Sequence, residues 1–184
     1  MRVVSGDLRG RRFSPPDSFS ARPTTDFAKE NLFNVLANFI DFESIKVLDI
    51  FSGTGSITYE MVSRGCTDVT SVEMNFHHQK FIAKTIAEFG IKDKARSIKA
   101  DAFKFLQATT ETYDLIFADP PFDLERASQL PDIIVERHLL KPDGIFILEH
   151  SGAGKYNAHP NFVQTRSYGK VNFTFFKDDK RIAN

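Results

Sequence analysis

The chain has a single cysteine, Cys66, and no tryptophan. One cysteine excludes an intramolecular disulfide and any metal site built on several thiolates, and it makes a reducing, cytoplasmic setting the expectation. No apolar run approaches the roughly 18–20 residues of a membrane span. The opening residues, Met1-Arg2-Val3-Val4-Ser5-Gly6, lack the apolar core of a signal peptide. No internal repeat or low-complexity tract is visible. Net charge is missing too: 24 Lys and Arg balance 24 Asp and Glu over 184 residues. Taken whole, that balance argues against a polyanion partner. What is plentiful is phenylalanine, 19 residues, within a chain that is 41% hydrophobic and 26% charged. These are ordinary globular values, and the length suits one domain that buries about 70% of its unfolded surface.

The zero charge does not survive being read along the chain. Residues 1–25 hold five basic side chains against two acidic ones, and residues 151–184 hold six against two. Residues 101–150 hold four basic against ten acidic. The pattern is a basic margin around an acidic centre, which suits one ligand that is cationic and another that is not.

Met1–Ser14 predicts a hairpin around Gly6 to Gly10, closed off by Pro15-Pro16. Thr25 or Asp26 caps a predicted helix to about Ile40, with Leu32, Val35, Leu36, Phe39 and Ile40 at helical spacing. From Lys46 strands and helices alternate. Strands are expected at 47–51, 69–73, 95–100, 113–118 and 145–149, with a closing hairpin at 162–167 and 171–177 around Tyr168-Gly169-Lys170. Such alternation predicts a mostly parallel sheet covered on both faces and finished by an antiparallel hairpin, the outline of a Rossmann-like methyltransferase fold. Two parts follow: a hairpin-and-helix extension over 1–45 and the α/β domain over 46–184.

Asp49-Ile50-Phe51-Ser52-Gly53-Thr54-Gly55 closes the first core strand, where open α/β sheets bind ligands. Glycines there admit close backbone approach. The third glycine of a dinucleotide fingerprint is absent, since its position is Thr58. Glu73 ends the second strand, 20 residues past Gly53, and suits the two hydroxyls of an adenosine ribose. Asp101, followed by Ala102 and Phe103, suits an adenine amino group. An acid at Asp49 favours a cofactor with a sulfonium and an ammonium, S-adenosylmethionine, over one that brings a pyrophosphate. The expected cofactor site is Asp49, Phe51, Gly53, Gly55, Glu73, Asp101, Ala102 and Phe103.

Asp119-Pro120-Pro121-Phe122 follows the fourth strand. The two prolines fix the backbone and remove two N–H donors, leaving the Asp119 carboxylate and the Pro120 carbonyl as acceptors. Two converging acceptors can hold both hydrogens of an exocyclic base amine and turn its lone pair toward a methyl donor. Phe122 offers a flat face to an unstacked base. The expected catalytic group is therefore Asp119, Pro120 and Phe122. Arg2, Arg9, Arg11, Arg12 and Arg22 are candidate phosphate contacts. No metal is expected: His77 and His78 are adjacent and point apart on a helix. Glu149, at the end of the fifth strand, reads as structural.

D-P-P-[YF] after the fourth strand, with D-x-F-x-G-x-G on the first, resembles the amino methyltransferases of nucleic acids. The N-terminal segments Met1–Gly6, Gly10-Arg11-Arg12, Arg22-Pro23-Thr24-Thr25-Asp26 and Glu30-x-Leu32-Phe33-Asn34-Val35-Leu36 narrow this to a resemblance with the bacterial RsmD family. The resemblance covers essentially the whole chain. It implies methylation of the 2-amino group of a guanine in small-subunit (16S) ribosomal RNA, as free RNA or within an assembling subunit. Phe122 stands where the family usually has Tyr, which keeps the stacking face and drops a hydroxyl. Two other readings share parts of the pattern. An adenine-amino methyltransferase uses the same D-P-P but usually carries a target-recognition domain for which 184 residues leave little room. A non-catalytic nucleotide- or RNA-binding module has no use for an intact D-P-P-F.

Overall fold

In the computed structural model, which describes residues 1–16, 19, 25–152 and 154–178, the apolar runs become seven strands. These are β1 (Lys46–Ile50), β2 (Asp68–Glu73), β3 (Ala95–Lys99), β4 (Tyr113–Ala118), β5 (Leu140–His150), β6 (Phe162–Tyr168) and β7 (Val171–Lys177). They form one sheet in the order β3-β2-β1-β4-β5-β7-β6. The first five are parallel, and β7 inserts antiparallel between β5 and β6. The strand order reverses between β1 and β4, which opens a crevice beyond their carboxyl ends.

Side chains alternate across this sheet, so each apolar strand supplies two cores. Val47, Val69, Leu115, Phe117 and Ile147 face one way, against α1 (Asp26–Leu36), α2 (Ser56–Ser63) and α3 (Phe76–Glu88). Leu48, Ile50, Ile116, Phe146 and Leu148 face the other, against α4 (Ala102–Ala108) and α5 (Leu130–Glu136). Each such side chain contributes about 1.5–3 kcal/mol of burial. Thr25, Asn75 and Asp101 cap α1, α3 and α4 by accepting backbone N–H groups. Cys66 is buried, and burial pushes its thiol up to about 12, so it is not a reactive group.

Three elements differ from the sequence expectation. α1 ends at Leu36 rather than near Ile40, because Ala37 accepts no further turn and Phe39 stays 47% exposed. The stretch after the Pro-Pro turn divides into a 3₁₀ turn, Glu125–Gln129, and α5, whose start suits Pro131 because an N-terminal proline loses no helical bond. β5 begins at Leu140 and takes in Lys141-Pro142-Asp143-Gly144, where its register with β4 shifts. Gly144 is required in that bulge: a Cβ would sit 2.8 Å from the Lys141 carbonyl oxygen.

The N-terminal arm is a short antiparallel turn, with Arg2 paired to Arg12 and Val3 exchanging backbone hydrogen bonds with Gly10 and Arg11. Val3 and Phe13 are buried in the same core as β1 and α2, and Phe13 packs edge-on against Tyr59 at 4.9 Å. Glu60, fully buried on α2, anchors the arm. Its carboxylate accepts the N–H groups of Val4 (2.8 Å) and Ser5 (3.0 Å) and Nε of Arg64 (3.0 Å), and it lies 3.8 Å from buried Lys29 Nζ. Gly6 passes so close to α2 that a Cβ would lie 1.7 Å from the Ser63 carbonyl oxygen.

Among the described residues no helix is long and apolar enough to cross a membrane, and no group of three or more His, Cys, Asp or Glu side chains is arranged to hold a metal ion.

Removing one member of a buried, hydrogen-bonded charge set strands the rest. Glu60→Ala is therefore expected to lower unfolding free energy by about 3–5 kcal/mol. Denaturant titration measures this, and amide exchange at Val4 and Ser5 should accelerate in the same variant.

Candidate functional site

The carboxyl ends of β1, β2 and β4 frame a cleft of about 530 Å³. Its floor is the loop after β1. Phe51, Gly53 and Gly55 all take positive φ there, at 58°, 54° and 78°. Phe51 is the costly one, since a bulky side chain rarely adopts that conformation. Its ring meets Phe103 edge-on at 6.0 Å. Gly55 does not line the cleft. It starts α2 in the left-handed conformation, and a Cβ there would collide with the Tyr59 hydroxyl at 2.5 Å. Its glycine is demanded by the turn and by Tyr59 beneath it.

Asp49 is 1% exposed and faces the cleft from β1. Thr58, which replaces the third glycine of a dinucleotide loop, donates its hydroxyl to Asp49 Oδ2 at 2.6 Å. Desolvation still dominates, and it raises the Asp49 carboxyl to about 7. Glu73 ends β2 with both oxygens engaged: Oε2 accepts Gly53 N–H at 2.9 Å and Oε1 accepts Asn75 N–H at 2.7 Å. A carboxylate has about four acceptor sites, so two remain for a ligand while these bonds fix its orientation. Asp101 caps α4 through the Lys104 N–H and also lines the cleft, beside Ala102 and Phe103. Capping α4 and lining the cleft are thus geometrically compatible for Asp101.

Asp119, Pro120, Pro121 and Phe122 form the opposite wall. Burial holds the Asp119 carboxyl well above the ordinary carboxylate range, with Glu149 and then Asp49 adding to the effect. The register explains the company: Ala118 pairs with Leu148, so Asp119 and Glu149 leave adjacent strands side by side, and Asp49 pairs with Phe117 one step below. Phe122 is 53% exposed, unlike the Phe residues of the core.

The fold therefore brings Asp49, Phe51, Gly53, Glu73, Asp101, Ala102 and Phe103 into one cleft with Asp119, Pro120 and Phe122. Sequence reasoning missed two of its walls and one neighbour of Asp119. Arg126 lies with its guanidinium 4.2 Å from the centre of the Phe103 ring. His78 lines the cleft with Nδ1 4.0 Å from Glu73 Oε1. Glu149 stands beside Asp119. None belongs to a motif; only its position as the last acid on a core strand marked Glu149.

The arginines are less uniform. Arg2 pairs with Asp26 at 3.1 Å. Arg11 donates to the Glu88 carbonyl at 2.9 Å and lies over the Phe89 ring. Arg9 and Arg12 are exposed on the same arm. Arg22 lies outside the described residues.

Comparison with known proteins agrees with this geometry. Residues 1–177 match the family described as "Conserved hypothetical protein 95". Ribosomal RNA small subunit methyltransferase D of Escherichia coli (strain K12) is 30% identical over 149 residues, spanning 81% of this chain and 74% of that one. The solved Escherichia coli protein yhhF superimposes with a TM-score of 0.82 at 25% identity, covering 96% of both chains. SMU.776, solved in complex with SAH, shares the fold at a TM-score of 0.61 and 15% identity, over 80% of this chain and 48% of that one. With the Gly loop, the acidic strand ends and the D-P-P-F wall in one cleft, the chain belongs to the bacterial RsmD family of S-adenosylmethionine-dependent methyltransferases.

Proposed function

We propose that the chain methylates the exocyclic 2-amino group of a guanine in 16S ribosomal RNA, within the small subunit or a particle on the way to it. The observation that carries this reading is the wall Asp119-Pro120-Pro121-Phe122, which faces the same cleft as Asp49 and Glu73. The relatives' activity on ribosomal RNA of the small subunit supports the substrate class.

The residues present fit S-adenosylmethionine. Asp49 is a buried acid with a raised pKa and no basic side chain among the causes of its shift, so a cation entering the cleft favours its ionised form. Glu73 takes the ribose hydroxyls, and Asp101, Ala102 and Phe103 take the adenine. When bound, the cofactor supplies an electrophilic methyl carbon on a sulfonium. Asp119 and the Pro120 carbonyl accept the two N–H groups of the base amine and orient its lone pair, and Phe122 stacks on the base. The amine gains the methyl group, and its surplus proton passes to the Asp119 carboxylate, which a raised pKa suits for the purpose. The carbon–sulfur bond would break as the carbon–nitrogen bond forms, leaving a thioether; the positive charge would pass to nitrogen and leave with the proton, so positioning supplies most of the rate.

The extension over residues 1–45 is the RNA-facing part in this reading. Arg2 and Arg12 oppose each other across the bridge, and among the described residues Asp26 pairs with Arg2. Like charges so placed are unfavourable unless an anion lies over them. A phosphate backbone is such an anion. The reducing, cytoplasmic setting expected from the lone cysteine is where ribosomal RNA is made and modified in bacteria.

The central test is methyl transfer to small-subunit particles from a strain lacking this gene, followed by mapping of the modified base. The intact chain should modify one guanine 2-amino group. Asp119→Ala should abolish transfer while SAH affinity stays within about threefold; retained turnover would overturn the assignment of Asp119.

A second expectation concerns pH. The Asp49 carboxyl is raised by folding, so in the ligand-free protein its stabilising contribution is present below pH 3.8 and is lost as pH rises through about 7. Binding of the SAH ammonium favours the ionised acid, so calorimetric affinity should strengthen from pH 5 to 7 and then level off. Asp49→Asn should weaken binding and flatten that rise.

The third concerns the arm. Replacing Arg9 and Arg12 together by Gln should reduce the salt slope of RNA binding by roughly two, with SAH affinity unaltered. An unchanged slope would remove the arm from the RNA interface.

A further inference from the structure

S-adenosylmethionine and SAH each carry an ammonium and a carboxylate on one carbon. Asp49 suits the ammonium. The carboxylate needs another partner, in a cleft walled by Asp49, Glu73, Asp101 and Asp119. That wall is acidic, so the place of the carboxylate calls for a donor backed by positive charge.

The glycine loop has few donors left to give. Gly53 N–H goes to Glu73 Oε2 at 2.9 Å, and Gly55 N–H goes to the Ser52 carbonyl at 2.7 Å. The Ser52 hydroxyl donates to the Asp49 carbonyl at 2.7 Å. Two hydroxyls at the wall remain, those of Thr54 and Ser56, 6% and 8% exposed.

Ser56 differs from Thr54 in what stands behind it. It opens α2, and its Oγ accepts a hydrogen bond from Lys29 Nζ at 3.0 Å. A serine hydroxyl has one proton to give, and an oxygen that accepts from an ammonium gives it more readily. Among the described residues no acceptor takes that proton. Lys29 is 1% exposed and does not line the cleft itself. The Arg2 carbonyl holds its Nζ at 2.9 Å, with Glu60 at 3.8 Å and Asp26 at 4.0 Å. Glu60 is shared with Arg64 and two backbone N–H groups, so it does not serve Lys29 alone. Asp49 is bonded to the same first turn of α2, because Thr58 donates to its Oδ2 at 2.6 Å.

We infer that Ser56, backed by Lys29, holds the carboxylate of the cofactor's amino-acid end. Ser56 donates its hydroxyl to that carboxylate, and Lys29 supplies charge through Ser56 without entering the cleft. An ammonium at the wall itself would pair with Asp49 or Asp119 and compete with the cofactor's amine and the base. Set one hydroxyl back, it leaves those acids available. Asp49 before the glycine loop and Ser56 after it then present an acceptor and a donor to one zwitterion.

This inference rests on the cofactor site proposed above, and its test needs no RNA. Calorimetry compares SAH with its decarboxylated analogue, which keeps the adenosine, the thioether and the amine. A hydrogen bond to a charged group is worth a factor of roughly 10–100, so the intact chain should prefer SAH by about that much. Ser56→Ala should cut the preference to within about threefold and leave affinity for the decarboxylated ligand within about twofold. Ser56→Thr keeps the hydroxyl and should keep a preference of at least about tenfold. Lys29→Gln keeps a donor to Ser56 and drops the charge, so the preference should fall by at least about threefold. A Lys29→Gln variant with the full preference would overturn the part given to Lys29. A Ser56→Ala variant that keeps the full preference, or that weakens both ligands alike, would overturn the role of Ser56 and leave Asp49 standing. So would collapse of the preference in Thr54→Val instead, or an intact chain that does not tell the two ligands apart. An intact chain that binds neither ligand would overturn the cofactor site itself.

Discussion

Glu60 carries a full charge to a position with no solvent exposure, and the chain is arranged around keeping it satisfied. Two backbone N–H groups come from the arm, a guanidinium from the end of α2 and an ammonium from α1. Lys29, whose own ammonium is disfavoured by burial, is held by that carboxylate, by the Arg2 carbonyl and by Ser56 Oγ. Ser56 lines the cleft. One buried charge set therefore joins the arginine-bearing arm to the first turn of the helix that follows the glycine loop. A buried ion set need not add net stability, but it fixes geometry, because each partner is costly to leave alone. Here the geometry fixed is the distance from the basic arm to the methyl-transfer cleft.

The cleft inverts the arrangement. Parallel pairing sets Asp49, Asp119 and Glu149 on neighbouring strand ends, facing one another in a space from which water is partly excluded. No basic side chain is among the causes that shift Asp49 or Asp119. Asp49 rises to about 7, and Asp119 rises as well. Such a site is poised for a cation and for N–H donors, the two things that the proposed reaction brings to it. The glycine loop adds strain of another kind in Phe51, which takes a positive φ and packs its ring edge-on against Phe103 at the rim of the core.

The sequence marked much of this in advance. The strands from 113–118 and 171–177 coincide with the observed ones, because short segments rich in apolar and aromatic residues and bounded by turn residues leave few alternatives. The carboxyl-end positions of Asp49, Glu73, Asp101 and Asp119 follow from the same reasoning. Gly55, an expected member of the cofactor site, also accommodates Tyr59, a neighbour only once α2 has formed. The fifth strand, expected over 145–149, begins at Leu140 instead: Pro142 and Gly144 favour a turn locally, while pairing with β4 pulls the segment into the strand.

Local chemistry along the chain determined the element types, the acidic strand ends, the acceptor-rich Pro-Pro turn and the separation of basic margins from an acidic centre. Those depend on neighbours a few residues away. Strand order and helix packing decided the rest: that Asp119 stands against Glu149, that Arg126 covers Phe103, and that Lys29 reaches both Glu60 and Ser56. The residues in each of these pairs lie between 23 and 31 positions apart in sequence. Only closure of the sheet and burial of its helices bring them within range of charge and hydrogen bonding, and burial is what makes those charges count.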